Sequence, residues 1–240
     1  INVFSQERRY GPVPMEWPRG MDNVPSFEEE WQGVHDAKID SPLMTAPDRV
    51  DQRALGNVAY RKPGLVMLLL RDHVIGEAAM DKAMRTYVER WAYKHPTPAD
   101  WFRTVEDVSG QDLAWYWRAF WYGADVLDLG IESVTSAGGA THVVLGKHTS
   151  IPFPIEMRLK LADGSTQDVK LPVTVWAKGD RYEATIDTKS TVVGARLWPN
   201  ADVPDFNQKN DTWGDVPARD PVRPATTGGL TTPIGAGQRP

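Results

Sequence analysis

Metal-dependent hydrolysis of the H-E-x-x-H kind needs two histidines four apart on a helix, with a glutamate beside the first. The five histidines do not meet that need. They occur as His35-Asp36, His73-Val74, His95-Pro96, His142-Val143 and His148-Thr149, and no two stand four apart. His73 and His95 fall at the ends of predicted helices, where an imidazole ordinarily meets terminal carbonyls. Cysteine is absent, which removes thiolate catalysis, disulfides and Cys-ligated zinc. The metal-ligand set expected of this chain is therefore none.

Carboxylates are no better placed for paired acid/base work. Glu28, Glu29 and Glu30 are consecutive, so on a helix they point in different directions and form a solvated face. Asp205, Asn207, Asn210 and Asp211 gather side-chain oxygens but lack the central Gly and distal Glu of a calcium loop; turn and capping duty is expected of them. The aromatic run from Trp115 to Tyr122 puts Leu113, Trp117, Phe120 and Trp121 on one helical face, which predicts core packing. No basic groove accompanies it, so base stacking is not expected. Tyr60 opens an apolar helix; by residue type alone it is a packed tyrosine with its hydroxyl satisfied.

The elements that must position these residues divide the chain into a helical first half and a β second half. Composition is that of a soluble globular protein, with 41% hydrophobic and 25% charged residues among 240. The net charge of −5 and the absence of a basic run speak against nucleic acid or an anionic membrane as partner. The longest apolar run, Leu65 to Leu70, is too short to span a bilayer. Pro12, Pro14, Pro18 and Pro25 break residues 1–25 into a loop, preceded by the tail of a helix over Ile1 to Arg9. Ser26 then caps a short helix through Val34. Longer helices are predicted over Ala59 to Val74 and Glu77 to Tyr93, the latter with Met80, Met84, Val88 and Trp91 on one face. Thr97-Pro98 starts another, which Gly110 ends, and Asp112 caps a fourth through Trp121. Six strands follow, at Leu129 to Val134, His142 to Leu145, Ile155 to Leu161, Val169 to Val175, Arg181 to Ile186 and Val192 to Leu197. They predict a small antiparallel β-sandwich. The fold class is α+β: a helical lobe over 1–124, a sandwich over 125–212 and, from its Pro, Gly and Thr content, a disordered tail over 213–240.

One ordered series of segments points to a family. Tyr60-Arg61-Lys62-Pro63-Gly64 heads the apolar helix. Leu70-Arg71 with Gly76-Glu77 marks its break. Arg85-Thr86-Tyr87, then Tyr93-Lys94 with Thr97-Pro98-Ala99-Asp100-Trp101-Phe102, and finally Ser109-Gly110-Gln111-Asp112-Leu113 complete the order. The series resembles the C-terminal part of the catalytic region of the gluzincin zinc aminopeptidases, the family of aminopeptidase N and leukotriene A hydrolase, over about residues 1–210. It departs from the family where Pro63 is inserted before Gly64.

The resemblance implies a helical catalytic lobe backed by the sandwich, a peptide substrate, and zinc as cofactor of the parent enzyme. In that family a zinc-bound water attacks the scissile carbonyl, a Glu acts as base, and the tyrosine matching Tyr60 stabilises the oxyanion. Tyr60 is thus the one catalytic residue expected here. The zinc ligands, the base and the acid that recognises the substrate N-terminus are missing, so the chain is expected to be a truncated portion, inactive alone. Its partner would be the N-terminal zinc-binding part. Likeness to secreted-type bacterial members implies a secreted or periplasmic location. The alternative is a non-catalytic protein-interaction module derived from the peptidase fold.

Overall fold

A computed structural model describes residues 27–137, 139–200 and 203–220, which fall within one unit spanning 25–221. The helix expected over Ile1 to Arg9, the Ser26 cap and the tail over 221–240 lie outside the described residues.

Helix α1 (Phe27–Asp36) leads to a 3-10 turn, Pro47–Arg49. The apolar helix then comes in three pieces: a π-helical turn Asn57–Arg61, α2 (Lys62–Leu69), and a second π-helical turn Leu70–Ile75. Its buried stripe runs through Asn57, Val58, Lys62, Leu65, Val66, Leu69 and Leu70, the helical spacing that a core face requires. Gly76, at φ +86°, stops it, a backbone position that favours glycine. Helix α3 (Glu77–Trp91) buries Met80 and Ala83. Val88 is exposed, so the expected face through Met80, Met84, Val88 and Trp91 is corrected at Val88: full burial follows Met80 and Ala83, Met84 and Trp91 are half-buried, and Tyr87 meets Trp101 edge-on at 5.2 Å. Helix α4 (Pro98–Ser109) starts as expected, with Thr97 N donating to Asp100 Oδ2 at 2.8 Å, and ends on left-handed Gly110. Helix α5 (Ala114–Phe120) carries the aromatic run. Phe102 stacks on Trp117 at 4.4 Å and meets Trp121 at 5.1 Å, the packing that its helical face predicts.

The second half holds strands β1 (Leu129–Ala137), β2 (Ala140–Lys147), β3 (Ile155–Leu161), β4 (Thr166–Leu171), β5 (Arg181–Asp187), β6 (Val192–Leu197) and β7 (Thr212–Gly214). They form two sheets, β1-β2-β5 and β4-β3-β6-β7, in which each pairing is antiparallel. Ile155, Met157, Leu159 and Leu161 all turn inward, as the period of two requires. Two expectations are corrected. The strand over Val169 to Val175 stops at Leu171, because Pro172 has no N–H for a ladder; Val173–Lys178 is instead a 3-10 helix that buries Trp176. Residues 213–220 are also not a disordered tail. Trp213 pairs with Ala195 in β7, Asp215 Oδ2 meets Lys160 at 2.6 Å, and Asp220 meets Arg158 at 2.5 Å.

Candidate functional site

Tyr60 stands in the first π turn with 75% of its surface exposed. The packed tyrosine expected from residue type is therefore corrected: Tyr60 lies off the buried stripe, two residues before Lys62. The helix beneath it is fastened. Lys62 Nζ, with its side chain 1% exposed, meets Asp40 Oδ2 at 2.7 Å, and the Asp40 side chain is 4% exposed. The same oxygen accepts from Trp31 Nε1 at 3.1 Å, and Asp40 Oδ1 accepts from the Ser41 N–H at 2.9 Å. Lys62 Nζ also sits 4.9 Å over the Trp31 ring, a cation–π contact strengthened by desolvation. Burial pushes the Lys62 ammonium down from its ordinary value, and Asp40 opposes that shift. Further along, Tyr116 Oη donates to Val66 O at 2.5 Å. Asn57, three residues before Tyr60, is fully buried, and neither polar atom of its amide has a partner among the described residues.

Sequence reasoning missed the burial of Lys62. The signal was there: Lys62 opens the spacing 62, 65, 66, 69 of the apolar stripe, a position where a charge demands a partner. Asp40, in a loop, gave no comparable signal.

The histidines are scattered. His73, in the second π turn, places Nδ1 at 3.4 Å from Glu156 Oε1 in β3 rather than only serving a helix end. The same Glu156 oxygen accepts from Lys170 Nζ at 2.9 Å. His73 first, then Lys170, hold the Glu156 carboxyl down to about 2 against the opposing effect of burial. His142 pairs with Glu183 on the surface at 3.1 Å, and His35 meets the Phe206 ring edge-on at 6.1 Å. No group of three His, Cys, Asp or Glu among the described residues is placed to hold a metal ion. These residues therefore do not fit a zinc site.

The oxygen cluster behaves largely as its turn chemistry predicts. Asp205 accepts from the Leu129 and Asn207 N–H groups and from Trp198 Nε1, at 3.0, 3.1 and 3.2 Å. Burial raises its carboxyl to about 6. Asp211 is 2% exposed, and its Oδ1 has no partner among the described residues. Burial first, then the nearby Asp205, push it up to about 8. Among the described residues no helix is long and apolar enough to cross a membrane.

No protein-family model matches the sequence, and no curated protein matches it. Among solved structures, the chain is similar to an aminopeptidase A of Legionella pneumophila, crystallised in complex with aspartic acid. The TM-score is 0.47 and the identity 15%, over 73% of this chain and 21% of that one. The chain thus spans about a fifth of the length of that protein.

Proposed function

We propose that the chain is the C-terminal portion of a secreted or periplasmic zinc-dependent metallopeptidase of gluzincin aminopeptidase type, with Tyr60 as oxyanion donor. The observation that carries this is the position of Tyr60 within the ordered series of segments: exposed, at the head of a helix fastened by a buried ion pair. A hydroxyl carried there can donate to the charge that develops on a scissile carbonyl oxygen. Zinc supplies the activated water in such enzymes. No group among the described residues fits a zinc site, so the ligands are assigned to a preceding zinc-binding part, and no step is routed through the metal here. The peptide substrate would lie between that part and the face carrying Tyr60, with the β-sandwich as support.

The test is an assay of the 240-residue chain alone against amino-acid arylamides, with and without a chelator. The expected result is no turnover above background. Chelator-sensitive turnover by the isolated chain would overturn the assignment of zinc to a separate part. A full-length gene product without peptidase activity would instead favour the non-catalytic interaction module.

A further inference from the structure

A groove of about 680 Å³ opens where the second π turn faces the β3–β4 end of the sandwich, within the size range of ligand sites. Its floor and walls are partly apolar, with Trp115, Ile155 and Val173 among them. It passes the C-terminal end of β4, which is an edge strand of its sheet among the described residues. Such an edge leaves every second N–H and C=O free to pair with an added strand.

Carboxylates outnumber ammonium groups along the groove. Asp72, Asp112 and Glu156 line it against Lys170 and His73. Arg71, from outside the groove, holds Asp72 at 2.5 Å. The helix that ends at Gly76 also directs its C-terminal carbonyls, the negative end of its dipole, toward this region. Glu156 is the group best built for recognition: its side chain is 14% exposed and its place is set by His73. Its other partner, Lys170, is 76% exposed, so that contact is a surface ion pair of small net worth and easily exchanged.

We propose that this groove binds an extended peptide segment alongside β4 through an arginine side chain that displaces Lys170 and takes Glu156. A guanidinium is favoured over an ammonium because its planar fork meets both carboxylate oxygens at once. Lys170 then acts as an internal competitor that holds the carboxylate in the free protein. The site lies about 18 Å along the helix axis from Tyr60, and it does not rest on the peptidase assignment.

The test uses fluorescence anisotropy with a labelled peptide of alternating valines around one central arginine, both ends blocked so that no free α-amine contributes. The expected result is saturable binding with Kd of about 1 mM or tighter. Replacing the arginine by citrulline, which is neutral, weakens it about tenfold or more. Glu156→Gln has the same effect and makes citrulline and arginine peptides equivalent. Lys170→Ala tightens the arginine peptide by up to about fivefold, an effect that loss of folding cannot mimic. Absence of saturable binding, or binding indifferent to citrulline and to both substitutions, would overturn the proposal.

Discussion

Replacing Lys62 by Met tests whether the head of the Tyr60 helix is held by the Lys62–Asp40 pair. At 2.7 Å and an effective dielectric of about 20, the Coulombic attraction is about 6 kcal/mol. Desolvation of two nearly fully buried ions costs a similar amount, so the pair as a whole is close to neutral against an apolar substitute. One-sided removal is different. Among the described residues, Lys62→Met leaves buried Asp40 with the Trp31 and Ser41 N–H groups as its donors, a loss of about 3–5 kcal/mol. For a unit of this size that is a fall in Tm of roughly 6–20 °C. Urea unfolding followed by far-UV circular dichroism measures it, with Asp40→Asn and the double variant completing the cycle. The double variant should recover at least half of the Lys62→Met loss. A Lys62→Met protein within about 1 kcal/mol of wild type, or a double variant showing simple additivity, would refute the claim that this pair fastens the helix head.

Four further outcomes are expected. Asp211, raised from 3.8 to about 8, binds a proton in the folded state that the unfolded chain has released. Its contribution is full below pH 3.8 and is lost as pH rises through 8. Asp211→Asn should therefore raise Tm at pH 8 and leave it little changed near pH 4; parallel Tm–pH curves would contradict this. Glu156, lowered from 4.5 to about 2, has the opposite sign: its contribution is present above pH 4.5 and lost as pH falls through 2. Glu156→Gln should flatten the acid limb of the Tm–pH curve, and an unchanged limb would exclude a role for this carboxylate in acid sensitivity. Among the glycines, a Cβ at Gly194 would lie 1.8 Å from Asp215 O, so Gly194→Ala should part the β6–β7 seam at a cost of about 1–3 kcal/mol. Gly56, at φ −60° with nothing within 4 Å, should instead gain about 0.4–1 kcal/mol on substitution by Ala. Equilibrium unfolding of the two variants reads both signs.

Local patterns carried much of the fold into the sequence. The alternation of Ile155, Met157, Leu159 and Leu161 set the inward face of β3, and Thr97-Pro98 with Gly110 bounded α4, because caps and periods act over a few residues. What depended on partners distant in sequence was not legible. Glu156 and His73 are 83 residues apart, and Lys170 faces Glu156 only through the β3–β4 register. Trp213 lies in a stretch whose composition suggests a tail, yet pairing with β6 recruits it. The exposure of Tyr60 was hidden for a different reason. Residue type favours burial, while the placement of the stripe through Asn57, Val58 and Lys62 decides against it.

The proposed donation by Tyr60 to the oxyanion of a zinc peptidase reaction is tested most directly by the steady-state kinetics of the full-length gene product on an amino-acid arylamide, wild type against Tyr60→Phe. The wild type should show chelator-sensitive turnover. The variant should show a fall in kcat on the order of 10² or more with KM little changed, as for loss of an interaction made in the transition state. A near-normal kcat in Tyr60→Phe would remove Tyr60 from the mechanism.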